Sequence, residues 1–301
     1  MAVNDFERFY FTHAGCRLSY VDFGNPDKPD LILLHGMCDH ALSLVNVARA
    51  LKDTFHVVAL DMRGHGRSDN PGIYTIVQYV ADVRALVQTC DLNNPVIIAH
   101  SMGGHIASRY TAAFQKEVAS LILLDGMGPP SWTEKPDRRY LTERLRHGVD
   151  FVSAMGAEGR QMKDSVEATR RLRKNNPLLS EAHAAVIVEH GVRAHSKGGI
   201  GWSFDPRVQM IWHTFAHYES EDFWRSILCP VLIVTGSNAL DYWVQLQPEL
   251  RGQTASYRDS LIKRQAFFGN AQHRIIEGAG HMLHYDQPEQ LNTVVSDFLA
   301  S

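Results

Sequence analysis

Cysteine is scarce in this 301-residue chain: there are four, Cys16, Cys38, Cys90 and Cys229, and no two are spaced as C-x-x-C. That scatter excludes a disulfide framework and a cysteine zinc site, and leaves four reduced thiols. The 16 histidines include no H-E-x-x-H and no His/carboxylate group with ligand spacing, so no metal is expected. Excess charge is missing as well. Thirty Lys+Arg against 33 Asp+Glu give a formal net charge of −3, which removes the electrostatic case for nucleic acid and for a polybasic membrane anchor. No apolar stretch approaches the roughly 18 to 20 residues of a membrane span. The start Met1-Ala2-Val3-Asn4-Asp5-Phe6-Glu7 lacks the basic and apolar regions of a signal peptide, so the expected location is cytoplasmic.

What is present is an ordinary globular composition, 45% hydrophobic, without internal repeats or low-complexity tracts. Through about residue 125, short apolar runs alternate with helical stretches, as a parallel sheet covered on both faces requires. Leu31–Leu34, Val57–Leu60, Val96–Ala99 and Leu121–Leu124 read as buried strands. Phe9–Thr12 and Arg17–Asp22 precede them as an antiparallel hairpin turned through Ala14-Gly15, and strands resume at Val231–Val234 and Arg274–Ile276. Between Pro129-Pro130 and about Glu221 the rhythm becomes helical, with Leu141, Leu145 and Val149 on one face and Ala184, Ile187 and Val188 on another. The pattern predicts an α/β core over 1–130 and 222–301 and a helical lid over 131–221. From Glu134 to Lys174, eleven Lys/Arg stand against seven Asp/Glu. A solvated helix surface accounts for that excess; a lid that draws in anions is the sharper alternative. The last helix carries Asp286 as N-cap, Pro288 in its first turn, Glu289 three residues on, and an apolar stripe of Leu291, Val294, Val295, Phe298 and Leu299.

One segment points to chemistry. Ala99-His100-Ser101-Met102-Gly103-Gly104 follows directly on Val96-Ile97-Ile98 and opens a helical stretch to about Phe114. A serine on so tight a strand-to-helix turn projects from the sheet edge, over the free N–H groups of the helix that follows. Small residues must flank it, and Ala99 meets that need where the familiar pattern has glycine. The plain alternative is a serine that caps a helix. A serine hydroxyl is a weak nucleophile until a base takes its proton. His281, in Glu277-Gly278-Ala279-Gly280-His281-Met282, lies in a glycine-rich loop between the last strand and the terminal helix, where it can fold back over the sheet edge. His284 is the second candidate.

Together these segments resemble the lidded α/β-hydrolases, in the branch called serine hydrolase-like or carboxylesterase. The resemblance rests on Leu34-His35-Gly36-Met37, on Asp61-Met62-Arg63-Gly64-His65-Gly66-Arg67-Ser68, on the Ser101 elbow and on Gly278-Ala279-Gly280-His281. It extends into the insertion through Asn175-Asn176-Pro177-Leu178-Leu179-Ser180 and Trp202-Ser203-Phe204-Asp205-Pro206. It implies an α/β-hydrolase fold, a mostly parallel central sheet with helices on both faces, and no cofactor. It further implies oxyanion donors at the backbone amides of Met37 and Met102, with Gly36 and Trp202 at the substrate; Phe204 and Trp212 either line an acyl pocket or pack lid on core. The loop with Arg63 and His65 is then structural, and nothing places a base beside Cys38. The triad acid must be a carboxylate at a strand end near His281. Its usual family place, about three residues beyond Gly236, is Ala239 here, so Asp241 is favoured and Asp125, after Leu121–Leu124, is the alternative.

The expected function is hydrolysis of small to medium carboxylic esters through an acyl-enzyme on Ser101, His281 and Asp241. Serine at the elbow argues against dehalogenase and epoxide hydrolase chemistry. Met282 stands where many carbon–carbon hydrolases carry tryptophan and lowers that alternative. Lactonase, thioesterase, amidase, acyltransferase and perhydrolase activities would use the same site. A non-catalytic small-molecule-binding protein is the reading from another class. The expected partners are a small-molecule acyl substrate and, by self-association, a second copy in a homodimer.

Overall fold

The computed structural model describes residues 5–128 and 138–301; Pro129-Pro130, the marker for the start of the insertion, lies outside them. The chain opens with strands β1 (Glu7–His13), β2 (Cys16–Asp22) and β3 (Asp30–Leu34), then α1 (Val45–Leu51), β4 (His56–Asp61), α2 (Ile76–Thr89), β5 (Val96–His100), α3 (Met102–Ala113) and β6 (Ser120–Leu124). It continues through α4 (Arg138–Ala154), α5 (Ser165–Asn175), α6 (Glu181–Gly191), β7 (Val192–Ala194), β8 (Ile200–Trp202), α7 (Ile211–Thr214) and α8 (Ser220–Arg225). It closes with β9 (Val231–Gly236), α9 (Leu240–Leu246), α10 (Thr254–Gln265), β10 (Ala271–Ile276), α11 (Leu283–Asp286) and α12 (Pro288–Leu299).

Eight strands form one sheet in the order β1-β2-β4-β3-β5-β6-β9-β10, antiparallel at β1, β2 and β4 and parallel from β4 onward. The hairpin turn at Ala14-Gly15 has positive φ at both residues. Within the parallel strands the side chains alternate between two cores, as the two-residue pleat dictates. Ile32, Leu34, Val58, Leu60, Ile97 and Ala99 face the core that includes α2 and α3. Leu31, Leu33, Val57, Ala59, Val96 and Ile98 face the core that includes α1 and α12. Burial on both sides is why these strands read as continuous apolar runs rather than as alternating ones.

The segment between β6 and β9 is largely helical, with β7 and β8 as a small antiparallel pair. Ala184, Ile187 and Val188 of α6 are buried as expected. Leu141, Leu145 and Val149 are instead exposed. α4 is anchored by another face: Arg144 donates to the Phe215 carbonyl (3.1 Å) and Phe151 meets His213 at a tilt (5.2 Å between centroids), which turns the aliphatic stripe to solvent. Two histidines bind the insertion to the core. His40 donates through Nε2 to the Ile187 carbonyl (3.0 Å), and His183 through Nε2 to the Ser43 carbonyl (3.0 Å). No helix among the described residues is long and apolar enough to cross a membrane.

The Asp61–Ser68 loop is structural in its contacts. Arg63 forms a two-pronged buried pair with Asp82 of α2 (2.5 and 2.6 Å), and Asp61 receives Arg8 and the Ala41 and Arg67 amides. Burial, reinforced by nearby His35, pushes the His65 imidazole down to about 3.

Candidate active site

Ser101 ends β5 and precedes α3 with φ 50° and ψ −116°, a left-handed conformation that a non-glycine residue adopts only when its surroundings enforce it. Its amide is held by the Leu124 carbonyl (3.1 Å). The glycines behind it permit the elbow. A Cβ at Gly103 would sit 2.6 Å from the His35 carbonyl oxygen, and one at Gly104 would sit 2.7 Å from the Gly126 Cα. Met102, fully buried, opens α3, where an amide has no carbonyl one turn back within the helix. Met37 follows Gly36 in the turn after β3, and its sulfur accepts from the Trp212 indole (3.2 Å).

His281 lies in the loop between β10 and α11, with Nε2 3.0 Å from Ser101 Oγ. That loop is pinned from four directions. His100 donates through Nε2 to the His281 carbonyl (3.0 Å), Asp286 accepts from the Gly280 amide (2.8 Å), Ser237 Oγ accepts from the Gly278 amide (3.0 Å), and the Ala279 carbonyl accepts from the Asn238 amide (2.9 Å). Asp286 is therefore not the N-cap of the terminal helix. It ends the short α11, Gln287 occupies the cap position without a side-chain bond, and α12 begins at Pro288. Burial raises the Asp286 carboxyl above its ordinary value.

The carboxylate on His281 Nδ1 belongs to Asp125. The sequence expectation of Asp241 in this position is thus corrected, and the reason is register. His100 pairs with Leu124 across β5 and β6, so the next residues, Ser101 and Asp125, leave adjacent strand ends side by side. Asp125 has φ 43°, its amide is held by the Val234 carbonyl (2.8 Å), and its side chain is almost fully buried. Burial, then the charge of Asp125, raises the Tyr257 phenol above its ordinary range. Arg264 donates to the carbonyls of Met127 and Gly128 just beyond (3.0 and 2.6 Å). Asp241 lies in the first turn of α9, exposed, its amide bonded to the Asn238 carbonyl (3.1 Å). The longer loop after β9 is taken up by an early helix start, which carries Asp241 to a cavity wall instead of to the imidazole.

That cavity encloses about 780 Å³ and is bounded by Met37, Trp202, Phe204, Tyr242, His281 and, from α5, Arg171. Arg171 is already paired with Glu167 (2.5 Å). Trp202 is on the wall. Gly36 is not: it packs under His100, where a Cβ would come within 2.6 Å of Nδ1. Trp212 packs edge-on against His105 and Phe215, joining insertion to core. Cys38 lines the cavity beside Met37, and all four cysteines are free. Among the described residues no group of three His, Cys, Asp or Glu side chains is arranged to hold a metal. Sequence reasoning passed over three residues whose rings meet His281, namely His100, Tyr242 and Trp243. His100 lay in plain view inside the elbow motif; Tyr242, whose ring stacks on the imidazole (3.9 Å between centroids), carried no signal.

The chain is similar to known proteins over nearly its whole length. It is 26% identical over 280 residues to a serine hydrolase-like protein of Danio rerio, covering 89% of this chain and 81% of that one. It is 26% identical over 275 residues to esterase YbfF of Escherichia coli (strain K12), covering 89% and 92%. The thioesterase domain from the curacin biosynthetic pathway superposes with a TM-score of 0.82 at 23% identity, covering 99% of this chain and 100% of that one. The sequence model of the alpha/beta hydrolase family matches residues 31–294, from β3 through the elbow and the histidine loop into α12. With the sheet, the elbow and the histidine loop in the places that family model spans, this chain belongs to the alpha/beta hydrolase family.

Proposed function

We propose that the chain is a serine hydrolase that cleaves carboxylic esters of small to medium size through an acyl-enzyme. The observation that carries this reading is the continuous hydrogen-bonded line from Ser101 Oγ through both imidazole nitrogens of His281 to Asp125. In the acylation step Ser101 Oγ bonds to the ester carbonyl carbon as its proton passes to His281 Nε2. Asp125 accepts from Nδ1–H and balances the imidazolium. The carbonyl oxygen, now anionic, is received by the Met37 and Met102 amides. Collapse breaks the carbon–oxygen bond to the alcohol, which leaves with the proton held on Nε2. Water then repeats the sequence on the acyl-enzyme, releasing the acid and restoring Ser101.

The segment 131–221 acts in this reading as a lid over the site. A cavity of about 780 Å³ falls within the range of small-molecule sites and favours compact acyl compounds over polymers. The names of the serine hydrolase-like and esterase relatives support the same class.

The test is hydrolysis of p-nitrophenyl esters from acetate to decanoate by wild type, Ser101→Ala, Asp125→Asn and Asp241→Asn. Loss of turnover in Ser101→Ala and Asp125→Asn, with Asp241→Asn close to wild type, is the expected result. A wild type that neither hydrolyses esters nor is labelled by a fluorophosphonate would make this a small-molecule-binding protein instead.

A further inference from the structure

Helix α9, which follows β9 where the family resemblance would seat the acid, holds an aromatic ring against His281. Tyr242 lies parallel to the imidazole, with centroids 3.9 Å apart and 11° between the planes. Trp243 meets the same imidazole edge-on at 5.2 Å, and His100 approaches it at 4.9 Å with a 47° tilt. We infer that Tyr242 is a positioning residue for His281, holding its ring plane and stabilising the imidazolium through its π face. The inference rests on the hydrolase reading, which makes His281 a transient cation.

Two physical arguments support it. The first is steric. An imidazole can rotate about its Cβ–Cγ bond, and rotation would take Nδ1 from Asp125 and Nε2 from Ser101 together. A face-stacked ring and an edge-on indole oppose that rotation, which keeps the base in a reactive geometry before substrate arrives. The second is electrostatic. The face of an aromatic ring carries partial negative charge and attracts a cation stacked on it. The neighbouring His100 adds no competing charge, because burial pushes its imidazole well below its ordinary value. Tyr242 also lines the cavity, so the stack stands between the imidazole and solvent on that side.

The experiment compares the rate of fluorophosphonate labelling of Ser101, and kcat and KM for p-nitrophenyl butyrate, in wild type, Tyr242→Phe and Tyr242→Leu. A fourth protein has pentafluorophenylalanine in place of Tyr242, a ring of similar shape whose face is no longer negative. Thermal unfolding of each protein checks that it is folded. Tyr242→Phe should keep nearly the wild-type rate. Tyr242→Leu and the fluorinated ring should label and turn over about tenfold more slowly, at unchanged KM, as expected for an interaction formed fully only with the cation. Wild-type rates in folded Tyr242→Leu overturn the inference alone, as does a Tyr242→Phe protein as slow as Tyr242→Leu, which would assign the effect to the hydroxyl. A fluorinated protein at the wild-type rate overturns the electrostatic half. An unlabelled wild-type Ser101 overturns the hydrolase reading and this inference with it.

Discussion

His281 and Asp125, 156 positions apart, are hydrogen-bonded through Nδ1 and a carboxylate oxygen, both side chains almost fully buried. The pair sits over neighbouring strand ends, with Ser101 leaving β5 and Asp125 leaving β6. Replacing Asp125 with Asn should lower kcat by about 10³- to 10⁴-fold, because the amide no longer selects the imidazole tautomer with Nδ1–H and cannot balance its charge. Asp241→Asn, at an exposed position on the cavity wall, should change kcat by no more than about threefold. Steady-state ester hydrolysis by the two variants checks both figures, and a collapse confined to Asp241→Asn would reverse the assignment.

Gly103 is expected to be intolerant of a side chain. A Cβ there would lie 2.6 and 2.7 Å from the carbonyl oxygens of His35 and Leu34, both rigid backbone. Gly103→Ala should cost about 1–3 kcal/mol of stability by overpacking. It should also push α3 away from β3, separating the Met102 and Met37 amides and lowering kcat. Denaturant unfolding and ester kinetics on the same preparation read the two effects; an alanine variant with wild-type stability would show that the elbow can relax.

The Arg63–Asp82 pair should matter for stability and not for chemistry. Its two hydrogen bonds are buried, with side-chain exposures of 2% and 1%. Removing Arg63 leaves the buried Asp82 carboxylate with only the His13 imidazole (2.8 Å) beside it, so Arg63→Met should destabilise the protein by about 3–5 kcal/mol. KM for a short ester should stay unchanged at a temperature where the variant is still folded. An unfolding midpoint equal to that of wild type would contradict the structural role.

The attachment of the insertion to the core should weaken in mild acid. Burial first, then the repulsion of nearby His284, lowers the His183 imidazole to about 4 from an ordinary 6.5. The unfolded chain therefore binds more protons between those values. The contribution of a neutral, buried His183 is fully present above about pH 6.5 and is lost as the pH falls toward 4, on the order of 3 kcal/mol in total. Hydrogen exchange across residues 181–191 should accelerate through this window in wild type. His183→Gln, which does not titrate, should show a flatter dependence; equal slopes for the two would remove His183 as the source.

The sequence by itself determined what local chemistry can specify. Runs such as Val96-Ile97-Ile98 are strands because only a doubly covered parallel sheet buries every side chain. The elbow is legible at Ser101 because a strained turn demands small neighbours within two or three positions. His281 is legible because a glycine-rich loop stands between a strand and a helix. The tertiary structure decided what depends on neighbours far apart in the chain. Which carboxylate meets His281 follows from the order and register of β5, β6 and β9, and from where α9 starts, so before the strands are in place Asp241 stands as the favoured acid and Asp125 as the alternative. The same holds for Tyr242, which stacks on a residue 39 positions away. It also holds for the Leu141–Leu145–Val149 stripe, whose period fixes a helix face but not what covers it, since the anchor at Phe215 lies outside that helix. Periodicity and turn chemistry act through covalent neighbours, whereas ring stacking, ion pairs and the orientation of a helix about its axis are set by packing alone.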